Sequence, residues 1–513
     1  MRGTTLAELF ARDPQRTARL TFRWRDWHVD IAKERLTPDV IEHLIEHAIE
    51  IGLPRWIDAL FAGEKLNLSE AKPALHTALR AEDDAPIIVE GHDVLPDVRA
   101  AQARGRAIAD AVRAGTRGGA PGKAIRTVVH LGIGGSDLGP RLVCEALADP
   151  DAPSPVPVTF VSNVDPEALA RALSALEPAT TLFVVASKSF TTEETMANAD
   201  SARAWLRAGL PAGADPTRHF VAATANPAAA RAFGIADTDI LPFWDWVGGR
   251  FSLWSSAGLP IAIAHGSDTF ATLRAGAAAM DAHFRTAPFA SNLPVLLGLV
   301  GWWNARALGH AQRIVVPYSH ALAALPAYLQ QTTQESNGKC VTRDGRPVDG
   351  ATAPALWGGT GTDGQHAFFQ WLHQGTQTVP VEFVVPVRAR HPLGSQQTLL
   401  VANAIAQAQA LLTGRTSDPA RACPGNRPST MLLLPSVDAW QLGALLALWE
   451  HRTFVEGILA GINSFDQFGV ELGKSLAKPI AASLIDGTAM AADADSSTRA
   501  LVDAARQLLA KTR

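Results

Sequence analysis

The sequence predicts an α/β protein. Two three-layer α/β/α sandwiches with mainly parallel sheets are expected, preceded by a helical N-terminal segment and followed by a C-terminal helix. Short apolar runs at residues 127–131, 156–161, 181–186 and 219–223 each lead into Gly, Ser, Asn or Thr and then into a helical pattern. The same rhythm returns at 313–317, 379–387 and 430–434. Continuous Val/Leu/Ile runs followed by helices mark parallel strands buried on both faces. A helical stretch over 266–308 separates the two sets. The chain therefore divides into an N-terminal helical segment (1–100), a smaller α/β domain (101–265), a larger one (266–490) and a C-terminal helix (491–513).

Residues 1–100 read as mostly helical, without an obvious sheet. Over 38–60, Val40, Ile41, Leu44, Ile45, Ala48, Ile49 and Ile51 recur at helical spacing. His43 and His47 share a face there, but the pair lacks the Glu of H-E-x-x-H and any third ligand, so a structural role is expected. With 513 residues the chain has room for roughly three units of ~150 residues. Its 46 basic and 50 acidic side chains leave a net charge of −4, which argues against a nucleic-acid partner. Cys144, Cys340 and Cys423 cannot all pair and form no C-x-x-C, so a reducing compartment is expected, with thiols that mostly fill cores. Residues 1–15 lack the apolar region of a secretion signal. Residues 286–305 are uncharged, but Pro288, Ser291, Asn292 and Pro294 interrupt them, and the dense part falls short of the ~20 residues of a membrane span. A soluble cytoplasmic protein with no membrane partner is the expectation.

Two loops follow predicted strands. The first, Gly132-Ile133-Gly134-Gly135-Ser136-Asp137-Leu138-Gly139-Pro140, departs from G-x-G-x-x-G because Asp137 holds the sixth position, which disfavours a dinucleotide. It suits backbone N–H groups approaching a small anion or hydroxyls, although a tight strand-to-helix turn accounts for some of its glycines. In the second, Ser187, Lys188, Ser189, Thr191 and Thr192 gather hydroxyls and an ammonium at a helix start, a site for a phosphate monoester. A Thr191-x-x-Glu194 capping box would explain the threonine alone. A P-loop look-alike at 469–475 is one residue short and follows no strand, so it is set aside.

Four further patches mix polar chemistry with glycine: Gly248-Gly249-Arg250, the polar run 330–339 with Glu335 as its single acid, residues 358–368 with His366 near a helix start, and residues 465–474 ending at Lys474. Taken singly, each has a structural explanation. Together the motifs resemble the phosphoglucose isomerase family, from Asn67 to Lys478. They are NLSEAKPALHTALR (67–80), GIGGSDLGP (132–140), SKSFTTEET (187–195), GGRFSLWSSAGLP (248–260), QESNGK (334–339), GTDGQHAFFQWLHQG (361–375) and FDQFGVELGK (465–474). The resemblance implies two SIS-type α/β domains and a homodimer in which His366 reaches the site from the partner subunit. It assigns the enediol base to Glu335, ring opening to His366 and Lys474, and an electrostatic role to Arg250. It places substrate and phosphate contacts at Gly135, Ser136, Ser187, Lys188, Ser189, Thr192, Gln331 and Gln467. Lys72-Pro73 and Asp363 depart from the family's usual pattern, the latter adding a charge close to His366.

The implied activity is reversible conversion of D-glucose 6-phosphate to D-fructose 6-phosphate through ring opening and a cis-enediolate, in glycolysis and gluconeogenesis, with no cofactor and no metal. Two alternatives stand beside it. One is an isomerase that also accepts mannose 6-phosphate. The other is a non-catalytic SIS sugar-phosphate sensor, which would need the 187–192 loop but not Glu335, His366, Arg250 and Lys474 together.

Overall fold

Residues 27–33, WHVDIAK, alternate apolar and polar side chains, and this period-2 pattern makes a strand inside the segment expected to be helical. The computed structural model describes residues 3–120, 122–415, 418–490 and 493–511. In it β1 (Thr21–Trp24) and β2 (Trp27–Lys33) form an antiparallel ribbon, turned at Arg25 with φ 52°. The expectation of no N-terminal sheet is thereby corrected: alternating Trp27, Val29 and Ile31 bury one face of β2. A second, two-residue ribbon joins β3 (Ile88–Val89) and β4 (His92–Asp93). The helical stretch over 38–60 is two helices, Pro38–Glu50 and Leu53–Ala62, separated by Gly52 at φ 80°.

The first apolar set forms a five-stranded sheet of β5 (Thr127–Gly132), β6 (Val158–Val161), β7 (Thr181–Ala186), β8 (Phe220–Thr224) and β9 (Ile240–Pro242). Its order is β6-β5-β7-β8-β9, all parallel. The second set gives β10 (Gln312–Pro317), β11 (Ala355–Gly358), β12 (Val381–Pro386) and β13 (Ser429–Leu434). These four are parallel, and the β1-β2 ribbon extends them antiparallel along β13, in the order β1-β2-β13-β12-β10-β11. Strands β9 and β11 carry no long apolar run, which is why periodicity passes over them.

Alternation splits each strand between two cores. Leu182, Val184, Val315, Val384 and Leu432 face one central core shared by both sheets. Phe183 and Val185 pack on the outer side of the first sheet, and Val316, Phe383 and Val385 on the outer side of the second. The stretch 266–308 contains helices Ser267–Thr286 and Leu293–Trp302. Asn292 caps the second with its side chain, and Pro294 occupies the first turn, where no N–H is needed. Among the described residues no helix is long and apolar enough to cross a membrane.

Helix Ala439–Leu459 runs through the central core and is buried continuously from Leu442 to Leu459, although it carries Glu450, His451, Arg452 and Glu456. Their charges are paired. Arg80 donates from Nε and Nη2 to the two Asp281 oxygens, both at 2.7 Å, and from Nη1 to Glu450. Trp254 Nε1 donates to the other Glu450 oxygen at 2.8 Å, and His451 Nε2 lies 2.6 Å from Asp281. The next residue, Arg452, grips Glu382 of β12 through both terminal nitrogens, and Arg313 of β10 donates to Glu456 at 2.7 Å. Burial pushes the Asp281 carboxyl up, but Arg80 and His451 more than reverse this, to about 2. Glu450 receives one arm of Arg80 rather than two, and burial leaves its carboxyl raised.

Two compact units divide the chain, one ending at Phe465 and the other beginning at Asp466. The second holds helices Phe468–Asp486 and Ser496–Ala510. The expected C-terminal helix over 491–513 is the latter, with residues 491, 492, 512 and 513 outside the described residues. The P-loop look-alike lies inside Phe468–Asp486. The cysteine expectation is corrected: Cys144 is buried, but Cys423 is half-buried and Cys340 is exposed in the loop after residues 331–335. His43 is exposed, its Nδ1 against Asp39 O, and the His47 ring sits 5.6 Å from Trp302.

Replacing Arg80 leaves two buried carboxylates without their countercharge. Arg80→Met should therefore cost about 3–5 kcal/mol of unfolding free energy in urea titration. A loss below about 1 kcal/mol would mean that the network does not depend on this guanidinium.

Candidate active site

In the first sheet the strand order reverses between β5 and β7, and a parallel sheet opens its ligand crevice at such a point, beyond the carboxyl ends. Register pairs Gly132 with Ala186, so the 132–135 and 187–192 loops leave the sheet side by side. Two close approaches explain the glycines. Gly134 has φ 57° and ψ −123°, and a Cβ there would lie 2.9 Å from Gln331 Nε2. A Cβ on Gly135 would lie 2.0 Å from the Gly249 carbonyl oxygen. The glycine loop is thus the surface on which the Arg250 and Gln331 segments rest, a requirement beyond that of a simple turn. Ser136, in the first turn of helix Gly135–Leu147, is 8% exposed, and its carbonyl accepts from or faces His130 Nε2 at 2.7 Å.

In the second loop the Ser187 hydroxyl donates to Thr192 Oγ1 at 3.1 Å, and the Thr191 hydroxyl donates to Ser189 Oγ at 2.8 Å. The helix begins at Glu193 with Thr192 as N-cap and no side-chain cap bond. The Thr191–Glu194 capping box is therefore not formed, which removes the ordinary explanation for the threonine and leaves the first N–H groups of the helix beside four hydroxyls. Thr195, which motif reading left without a role, has a buried hydroxyl with no hydrogen-bond partner among the described residues. Lys188 departs from a simple anion contact. Its Nζ donates to the carbonyls of Asp245 at 2.8 Å and Val247 at 3.1 Å, tying this loop to the chain that leads into Gly248. Burial lowers the Lys188 ammonium below its ordinary value, and Asp245 offsets part of that.

Arg250 lies in a 3₁₀ segment, Gly249–Trp254, and its side chain is 1% exposed. Nε donates to Ser336 Oγ and Nη2 to the Ser464 carbonyl, both at 2.6 Å, and Nη1 faces Glu335 Oε2 at 3.6 Å. Glu335 ends a π-helical turn, Gln331–Glu335, that follows helix Leu325–Gln330. Such turns often occur at functional sites because they re-aim a side chain. The Glu335 carboxylate also accepts from Gln331 Nε2 at 2.8 Å. Gln331, expected against substrate, thus also orients the acid. The result is a carboxylate 19% exposed, facing a buried fixed cation, at the edge of a loop stripped of side chains. This arrangement suits proton removal beside a carbonyl, with a cation waiting for the developing oxyanion.

His366 is exposed and closes the short helix Gly361–Gln365 rather than opening one; its N–H donates to Asp363 O. The Asp363 carboxylate accepts from the Thr360 hydroxyl at 2.8 Å. Lys474 is exposed in helix Phe468–Asp486, and Gln467 precedes that helix as its N-cap residue; both belong to the second unit. Sequence reasoning missed the residues that hold the site. Ser336 seats Arg250, Asn337 donates to Thr453 O and accepts from the Ser464 hydroxyl, and Lys339 Nζ donates to the carbonyls of Glu335 and Ser336. Their presence inside QESNGK was the available signal, since a single base needs no such escort.

Residues 30–502 match the family described as phosphoglucose isomerase. The chain is 48% identical to the glucose-6-phosphate isomerase of Cupriavidus metallidurans, covering 100% of this chain and 97% of that protein. It is 46% identical to that of Methylococcus capsulatus, covering 97% and 94%. Its fold is similar to the crystal structure of a glucose-6-phosphate isomerase from Chlamydia trachomatis, with a TM-score of 0.87 and 33% identity over 98% of this chain and 96% of that one.

The two glycines that meet across the site differ in space. Gly135→Ala drives a Cβ into a backbone oxygen and should cost about 1–3 kcal/mol of stability, as overpacked sites do. At Gly249 a Cβ meets nothing within 4 Å, so Gly249→Ala should stay within about 0.5 kcal/mol of the parent in the same unfolding titration. Equal costs at both positions would refute the close approach.

Proposed function

Because the chain belongs to the phosphoglucose isomerase family, we propose that it interconverts D-glucose 6-phosphate and D-fructose 6-phosphate, in the cytoplasm, as a step of glycolysis and gluconeogenesis. The observation that carries this reading is the Glu335 carboxylate held between Gln331 and Arg250 at the glycine loop. Glu335 takes the proton from C2 of the open-chain aldose and returns it to C1 of the cis-enediolate, so no net proton is consumed. Arg250 faces the enediolate oxygens, an interaction commonly worth a few kcal/mol. His366 and Lys474 serve ring opening, which needs acid–base help at the ring oxygen and the anomeric hydroxyl. The phosphate is anchored by Ser187, Ser189 and Thr192 and the start of helix Glu193–Gly209, with Gly135, Ser136, Gln331 and Gln467 completing the substrate contacts. Lys188 adds charge there while bracing the loop. Binding energy from this non-reacting end orients C1 and C2.

Glu335→Gln keeps the shape and removes the base. Its kcat should fall at least about a thousandfold in both directions, while 6-phosphogluconate still binds. Substantial turnover in the variant would sink the assignment.

The working form is proposed to be a homodimer in which His366 acts across the interface, consistent with the exposure of that side chain. Mixing Glu335→Gln and His366→Ala subunits under exchange conditions should restore activity, because one site of each heterodimer combines an intact Glu335 with an intact His366. Confirmed exchange without recovery would reject the shared site and leave the isomerase reading standing.

A further inference from the structure

A cavity of about 250 Å³ lies between helix Leu95–Arg113, helix Ser267–Thr286 and the segment around Trp254. None of the proposed catalytic or phosphate-binding residues lines it. Its walls mix apolar side chains, Val98, Leu241, Trp244, Trp254, Leu259 and Phe270 among them, with polar ones. Its charged lining is one-sided: Arg99, Arg106 and Arg274 are present, and no lining residue is acidic. Arg99 is paired outward with Asp84 and Arg106 with Asp268. Arg274 has neither ion pair nor hydrogen bond among the described residues, and its guanidinium lies 4.6 Å from the centre of the Phe270 ring. The Ser256 hydroxyl, also on the wall, is likewise without a protein partner among the described residues.

A half-buried guanidinium beside an aromatic ring and without a counter-ion gives up part of its hydration without recovering the energy from a carboxylate. Burial and the nearby Arg106 push Arg274 down to about 10, which still leaves it cationic at neutral pH. Size adds a constraint. Cavities of about 150 Å³ take up benzene, so this one accommodates a small aromatic body with an acidic head. We propose that the cavity is a second ligand site, selective for a small aromatic carboxylate whose anion meets Arg274 and Ser256 while its ring lies among Trp244, Trp254 and Phe270. The wall residues Trp254 and Ser255 follow Arg250 in the same segment, so an occupant touches the support of the catalytic arginine.

The test uses 2-naphthoate as probe and 2-naphthamide as its neutral counterpart, by calorimetry on the full-length protein with 6-phosphogluconate saturating the active site. Naphthoate should bind, and naphthamide should bind at least about tenfold more weakly, as should naphthoate to Arg274→Gln. Gly105→Leu fills the cavity from helix Leu95–Arg113, where a Cβ meets only Leu241 Cδ1 at 3.9 Å, and should abolish binding. Both variants should keep kcat/KM within about twofold of the parent, which shows that they fold. Equal affinity for naphthoate and naphthamide, binding that survives Gly105→Leu, or no binding to the parent at about 5 mM would each overturn the proposal. Loss of self-association in Gly105→Leu would assign the cavity to a contact between copies and overturn it equally.

Discussion

The supports of the Glu335–Arg250 pair hang on one buried helix whose charges have to be paired. Helix Ala439–Leu459 brings Glu450, Arg452 and Glu456 into the core, where an unpaired ion costs several kcal/mol. The partners come from everywhere else: Arg80 from the N-terminal motif, Asp281 from helix Ser267–Thr286, Glu382 from β12 and Arg313 from β10. Moving any of these elements breaks a charge pair. The same helix then sets the active-site supports. Glu450 holds Trp254, which ends the Arg250 segment, and the Thr453 carbonyl holds Asn337, two residues past Glu335. One turn of one helix therefore fixes both sides of the acid–cation pair.

The geometry proposed for catalysis is accordingly stiff where it is closest. Arg250 has two of its nitrogens committed at 2.6 Å, and Glu335 is oriented by Gln331 from within its own π turn. Side chains so held lose little freedom when substrate arrives, which is what near-attack alignment requires. The glycine loop contributes by absence. Removing Cβ atoms at positions 134 and 135 lets two segments from distant parts of the chain close on the end of β5. Lys188 provides a further link, since it ties the hydroxyl-rich loop to the carbonyls just before Gly248. The hydroxyl-rich loop and the Arg250 segment are thereby joined through one lysine side chain and the backbone it grips.

The second sheet shows the same economy. Its four parallel strands follow from their apolar runs, yet its edge is completed by a ribbon from the chain's beginning, where β2 lies antiparallel along β13. Glu34 follows that ribbon into the core. There Thr430 and Asn304 donate to its two oxygens, and burial pushes its carboxyl up to about 7. The ribbon pairs the outer side of β13 and moves that edge of the sheet to β1.

Local sequence determined the elements whose physics is local. A short β-branched run such as TLFVVA, bounded by polar residues, reads as a doubly buried strand, and the observed β7 spans the same six residues. Ordered motifs also marked the segments that meet at the candidate site, because Glu335, Arg250 and the hydroxyl-rich loop each keep their neighbours along the chain. What lay beyond reach is what distant segments decide together. Alternation in residues 27–33 permits a strand, but only the edge of β13 gives the β1-β2 ribbon its place in a sheet, and Thr191 is no cap because the helix starts one residue later than its capping box requires. Whereas Gln331 and Glu335 meet four residues apart within one turn, Lys188 turns to backbone carbonyls because the fold brings the Asp245 carbonyl within 3 Å, an approach no spacing in the sequence encodes. The same holds for Arg274. Along the chain it is one more basic residue of an amphipathic helix, and only the packing of three elements around it leaves a cation facing a cavity without an acid.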